Sequence, residues 1–170
     1  MSLYKSSVLP FKKMLSNLDK WLENAAAHAQ KKSFDVNVLV FARLAPDQYP
    51  LVRQIQSACD GAKFASARLA AKEPPKHPDT EQTIDELRAR LRTCIEWLDT
   101  LTEADFAGAE QRDVVLTFLE GKVMSGDDYL LEIALPNFYF HVTTAYAILR
   151  HNGVDLGKRD FLGGLTLRDR

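Results

Sequence analysis

Apolar side chains recur along this chain in steps of three and four residues, and they do so in four separate stretches. The first set is Phe11, Leu15, Leu18, Leu22, Ala25 and Ala29. The second is Leu51, Ile55, Ala58, Ala62, Ala65 and Leu69, and the third is Ile84, Leu87, Leu91, Cys94, Leu98 and Leu101. A fourth stretch, 128–151, carries Leu130, Ala134, Phe138, His141, Ala145 and Ile148, with Asn152 just beyond it. Such steps average one turn of an α-helix, so each set forms a stripe along one side of a helix. Four helices that are apolar on one side must bury those sides against one another, which predicts an all-α four-helix bundle. With 170 residues, 46% of them hydrophobic, the chain supports one core and hence a single domain over 1–170.

Local signals set the boundaries. The second helix is expected over about 50–71, with Pro50 in its first turn. Residues 72–79 read KEPPKHPD, and three prolines forbid a continuous helix there. Thr83 and Glu86 have the spacing of a capping box, although Thr80 offers a cap one turn earlier. Between the first two helices, Ser33 or Asp35 is placed to cap a short helix through Val36–Phe41. Val114, Leu116 and Phe118 alternate with Val115, Thr117 and Leu119, and Glu120-Gly121 follows. This predicts a small β-hairpin inserted before the last helix, and an isolated hairpin must lie on the bundle to persist. Asp127-Asp128 reads as the N-terminal cap of the last helix. Pro136 either kinks that helix or starts a new one. Asn152-Gly153 stops it. Leu156, Phe161 and Leu162 are expected to pin the tail, with 165–170 mobile.

Lys and Arg number 22 against 23 Asp and Glu, a net charge of −1, which disfavours a nucleic-acid binder. No apolar run approaches a membrane span, and no signal peptide is indicated. Cys59 and Cys94 are too few for a disulfide framework and read as buried thiols, with a bridge across two packed helices as the alternative. A cytoplasmic setting is therefore expected. The chain holds no GxxxxGK[ST], GxGxxG, CxxC, HExxH or GxSxG, so nucleotide, redox-pair, zincin and hydrolase readings lack sequence support.

The chemistry that remains centres on His141. His28 is expected to be exposed, His77 lies in the Pro-rich connector, and His151 suits the negative end of a helix dipole. His141 alone sits mid-helix on an apolar stripe, as a core residue or as a ligand-binding one. A metal needs about three donors. His141 has no second histidine at helical spacing, Asn137 lies one turn before it, and Cys59 and Asp60 are the nearest suitable donors on the second helix. The small residues Ser57, Ala58, Cys59, Gly61, Ala62, Ala65 and Ser66 allow either close packing or room for a ligand. Phe138, Tyr139, Phe140 and Tyr146 suit an apolar pocket, core packing or a subunit interface. The candidate ligand-binding set is His141, Asn137, Asp60 and Tyr146.

Two segments, ALPNFYFHVTTAYAILRHNGVDLGKRDFLG (134–163) and ARLAPDQYPLVRQIQ (42–56), resemble a domain-of-unknown-function family in the DinB/YfiT-like metalloenzyme superfamily. The resemblance covers about residues 3–164. It implies a bundle in up-down-down-up order, often a homodimer. In relatives, zinc or nickel is held by one histidine of the second helix and an HxxxH on the last, and some relatives are thiol transferases or isomerases. His141 matches the second histidine of HxxxH, because Arg150 and Gly153 follow at the expected offsets. The first position is then Asn137, and no histidine stands in 57–60. Three functions follow as expectations. One is a small-molecule binder at a degenerate metal site around His141. The others are a metal-dependent thiol transferase-type enzyme and a homodimeric interaction protein.

Overall fold

The computed structural model describes residues 2–169. Three long helices come first: α1 (Leu3–Lys32), α2 (Leu51–Ala70) and α3 (Ile84–Asp99). The fourth begins as α4 (Gly126–Tyr129), passes through a π-helical turn (Leu130–Ala134) and continues as α5 (Leu135–His151). A short α6 (Lys158–Leu162) closes the chain. All eighteen residues of the first three stripes are buried, as the period requires.

Contacts between helices fix their directions. Arg88 of α3 meets Asp19 of α1, while Lys12 meets Asp99, so α1 and α3 are antiparallel. Gln56 meets Glu81 ahead of α3, and Lys72 past α2 meets Asp105 past α3, so α2 and α3 run parallel. Gln54 meets His141 and Arg68 meets Tyr129, so α2 and α5 are antiparallel. Phe11 lies 4.6 Å from Phe138 and Trp21 5.4 Å from Tyr146 between ring centroids, so α1 and α5 are parallel. The order is up-down-down-up. A parallel α2–α3 pair needs a return strap, and the proline-rich segment 71–83 supplies it.

Helix ends follow local chemistry. Thr83 Oγ1 accepts from Glu86 N at 3.2 Å while Glu86 Oε2 accepts from Thr83 N at 3.0 Å, closing the capping box. Asp35 caps a 3-10 helix over Val36–Phe41. Ser125, rather than the acidic pair behind it, caps α4, and Asp127 and Asp128 occupy the first turn where the helix dipole favours them. Gly153 has φ 87°, the left-handed stop expected after α5. α1 begins eight residues before its first stripe residue and carries Pro10 in its interior. There Ser6 and Ser7 bond back to the carbonyls of Ser2 and Leu3. The hairpin is shorter than its alternation suggests: β1 (Val114–Val115) pairs antiparallel with β2 (Val123–Met124). Val114 and Leu116 are buried, but Phe118 is 68% exposed because Thr117–Leu119 coils into a 3-10 turn. The tail is pinned by Leu156, which is buried, and by Phe161 stacked on Trp21, whereas Leu162 is exposed. Residues 165–169 are exposed and irregular, and the remaining residue of the expected mobile tail, 170, lies outside the described residues. Among the described residues no helix is long and apolar enough to cross a membrane.

Candidate functional site

The π turn is the local answer to Pro136. In a regular helix the proline ring collides with the carbonyl four residues back, and its missing N–H breaks a bond. Here Leu135 N–H bonds to Leu130 O, five residues back, which widens the turn just before the proline. The helix therefore neither breaks nor restarts at Pro136. Its far side presents Asn137 and His141 toward α2. Gly61 lets α5 come close: a Cβ there would sit 3.2 Å from Asn137 Nδ2 and 3.9 Å from Phe138 Cα. The small-residue face of α2 thus does both things it allows. Ala58, Ala62 and Ala65 are packed in the core, while Ser57 and Gly61 line a cleft of about 330 Å³.

Ser57, Asn137 and His141 form the polar end of that cleft. Phe64, Ile133 and Ala134 line its middle, and Leu116 and Phe118 reach over from the hairpin. His141 is half-buried, and its Nδ1 lies 2.8 Å from Gln54 Oε1. Gln54 Nε2 donates to Tyr49 O at 3.1 Å. A carbonyl can only accept, so the amide is fixed with Oε1 toward the ring, and Nδ1 must carry the proton. Nε2 is then bare, and it has no hydrogen-bond partner among the described residues. Burial, with the Arg53 charge adding to it, holds the imidazole pKa below its ordinary 6.5. At neutral pH His141 is an uncharged ring with a lone pair facing the cleft. Such a group can accept a hydrogen bond, take a proton or ligate a metal.

Asp60 lies at the cleft edge but faces other partners. Its Oδ1 is 2.8 Å from Lys63 Nζ and 3.0 Å from Arg90 Nη2. Arg90, 3% exposed in its side chain, also holds Glu81 at 3.1 Å, Asp79 at 3.3 Å and the Pro78 carbonyl at 3.1 Å. Lys63 is 2% exposed, and its ammonium sits 4.6 Å from the Phe64 ring centroid. With Arg53 on Asp79 at 2.6 Å, three cations meet three carboxylates. This network clamps the strap to α2 and α3. It also acts on His77, whose pKa is lowered by burial and by the charges of Lys63 and Arg90.

A family model described as "Domain of unknown function (DUF1993)" matches residues 3–162. The chain belongs to the DUF1993 family. A solved structure, that of a DinB family member protein from Shewanella denitrificans, is 45% identical to it. That likeness covers 99% of this chain and 96% of the other, with a TM-score of 0.95. No curated protein matches.

The superfamily's three-histidine centre does not fit the donors of this DUF1993 chain. Beside His141 stand the hydroxyl of Ser57 and the amide of Asn137, both weak neutral donors to a metal. Cys59 turns the other way. Cys94 Sγ reaches the Cys59 carbonyl at 3.4 Å, and contact with the Cys94 thiol together with complete burial pushes the Cys59 thiol pKa up. Both cysteines are free, buried thiols, as their places in amphipathic helices suggest. Among the described residues no group of three or more His, Cys, Asp or Glu side chains is arranged to hold an ion.

The four sequence-derived candidates in this DUF1993 domain therefore separate. His141, Asn137 and Asp60 share one cleft, and Tyr146 does not: its hydroxyl donates to Leu156 O at 3.3 Å, and its ring packs on Trp21 and Phe161. The four aromatic residues do not gather around one pocket either, although Tyr139 lines a separate recess with Leu9, Pro10, Met14 and Phe161. Phe138 is core, Tyr139 is half-buried against it, and Phe140 faces outward. His28 is half-buried beside Phe34 and Gly153 rather than exposed. Sequence reasoning missed Gln54 and Arg68. Gln54 carried a signal, being a polar residue directly beside the stripe residue Ile55; Arg68 carried none.

Proposed function

We propose that this protein binds a small organic molecule in the α2–α5 cleft, recognised by the bare Nε2 of His141 with Asn137 and Ser57 beside it. One observation carries the reading: His141 lines the cleft with its Nδ1 2.8 Å from Gln54 Oε1, which leaves Nε2 as the ring nitrogen available to a ligand. A few fixed polar groups set beside apolar walls, here Phe64, Ile133 and Ala134, are the usual make-up of a small-molecule site. Asp60 enters at the rim, with its charge already compensated, and Tyr146 supports the fold.

Ligand-observed NMR with a fragment library tests this. Fragments that bind the wild type should be lost in His141→Ala while the helical circular dichroism signal stays intact. If His141→Ala lowers only the melting temperature and retains the binders, the residue is structural. The donor set also opposes the metal-dependent transferase reading. Untagged protein should carry less than about 0.1 equivalent of zinc or nickel, and adding either metal should not shift its melting. A site filled at 100 times Kd would add about 2.7 kcal/mol, so stoichiometric binding would be plain and would overturn this part.

A further inference from the structure

We infer that the occupant of the cleft is a small carboxylate about 10 Å long, its anionic end held by Arg68; this rests on the small-molecule reading above. Arg68 stands on the same face of α2 as Ser57 and Phe64, at the opposite end of the cleft from His141. Its guanidinium lies 5.7 Å from the Phe64 ring centroid and 5.8 Å from that of Tyr129. Nη1 donates to the Tyr129 hydroxyl at 2.9 Å. Two aromatic rings and one phenol thus hold the planar fork in place while leaving most of its donors free. Arg53, Arg88 and Arg90 each hold a carboxylate, whereas Arg68 pairs with none among the described residues. Asp60 is taken by Lys63 and Arg90, and Glu73, which shares the next recess with Arg68, is not within ion-pair reach. A fork with this freedom, fixed at the end of an apolar cleft, suits a bidentate carboxylate.

Length and polarity follow from the helix. Eleven residues separate Ser57 from Arg68, about 16 Å of rise. Helical side chains lean toward the N-terminus, and the Arg68 head lies back over Phe64, one turn earlier, leaving about 10 Å. The middle is apolar, so the ligand body there is hydrocarbon. At the far end the bare Nε2 of His141 only accepts, so that end of the ligand carries a hydroxyl or another donor.

The probes are 3-(4-hydroxyphenyl)propanoate, its neutral amide, and 3-phenylpropanoate, titrated calorimetrically into the full chain as wild type, Arg68→Met and His141→Ala. The hydroxylated acid should bind the wild type at least about ten-fold more tightly than the amide, the scale of a lost charge-assisted hydrogen bond. Arg68→Met should erase that preference, and 3-phenylpropanoate should bind more weakly because it lacks the donor. Arg68 is exposed and makes one side-chain hydrogen bond, to Tyr129, so an unchanged helical circular dichroism signal is the control that the fold of Arg68→Met is intact. Equal binding of acid and amide by wild type, or of the acid by wild type and Arg68→Met, overturns the carboxylate assignment. If His141→Ala then still abolishes binding, the cleft reading survives without it. If Arg68→Met weakens the acid but His141→Ala does not, the anion end stands and the imidazole reading falls. Failure of all three probes to bind the wild type at millimolar concentration also overturns the proposal.

Discussion

Gln54 makes the sharpest test of how the imidazole is set, because it holds the ring without lining the cleft. Gln54→Leu keeps the volume and removes two hydrogen bonds, one to Tyr49 O at 3.1 Å and one to His141 Nδ1 at 2.8 Å. Gln54 is buried, so leucine fits the apolar surround and offsets part of the loss. The Tyr49 carbonyl belongs to an exposed residue and can turn to water. The Nδ1–H is half-buried and loses its acceptor outright. Each bond contributes about 1 kcal/mol net, so the total cost is about 2 kcal/mol. For a chain of this length that is a fall of roughly 4–8 °C in melting temperature. The second readout is the tautomer. In the wild type, nitrogen-15 NMR of His141 should show a protonated Nδ1 and a bare Nε2. In Gln54→Leu the ring is freed to move its proton to Nε2, and ligand binding should weaken although His141 is untouched. A wild-type spectrum showing protonated Nε2, or a variant that melts lower yet keeps the wild-type tautomer and affinity, refutes the derivation.

Other outcomes are fixed by charge and by mass. His141 and His77 both have pKa values pulled below 6.5, so between that value and their folded values the unfolded chain binds more protons than the folded one. Stability should therefore fall as pH drops below about 6.5, and a melting temperature that is flat or rising from pH 7 to 5 contradicts the assignment. Arg90→Met leaves Asp60, Asp79 and Glu81 facing each other without their shared cation. The loss should be about 3 kcal/mol by urea unfolding, discounted from a fully sealed pair because Asp60 and Asp79 are partly exposed; a loss under about 1 kcal/mol means the network is not structural. The homodimer expected from the family resemblance predicts sedimentation at twice the 19.2 kDa of one chain, and a 19.2 kDa species at micromolar concentration refutes it.

The bundle could be read from the sequence because its information is periodic: burying one stripe per helix decides the architecture whatever the loops do. The capping box of Thr83 and Glu86 could be read because it is local. The ionic network around Arg90 could not, since its members come from the strap, from α2 and from α3, and only the tertiary fold brings them together. Asp60 illustrates the consequence. On the helix it is a carboxylate near a histidine, and in the fold its charge is compensated by Lys63 and Arg90. Tyr146 shares a seven-residue spacing with Tyr139, but α6 folds back and covers it, and the predicted tail contained no helix to do so.

The position of the site itself was written in the apolar stripe in a form easily overlooked. From Leu130 the stripe steps four residues to Ala134 and four again to Phe138 before returning to three at His141. Eight residues over two turns run 0.8 residue ahead of a regular helix, about 80° of rotation. The single residue added by the π turn absorbs that excess, because Leu135 bonds five residues back. A straight α-helix through the same residues would turn Asn137 and His141 away from α2 by roughly that angle, and Gln54 would lose the ring it orients. The widened turn, the proline behind it and Gly61 opposite are therefore parts of one device that aims the imidazole. That device does not depend on a metal. Asn137 and Ser57 stand beside the imidazole as neutral hydrogen-bonding groups, so the chemistry we propose for this cleft is hydrogen bonding to a ligand rather than coordination.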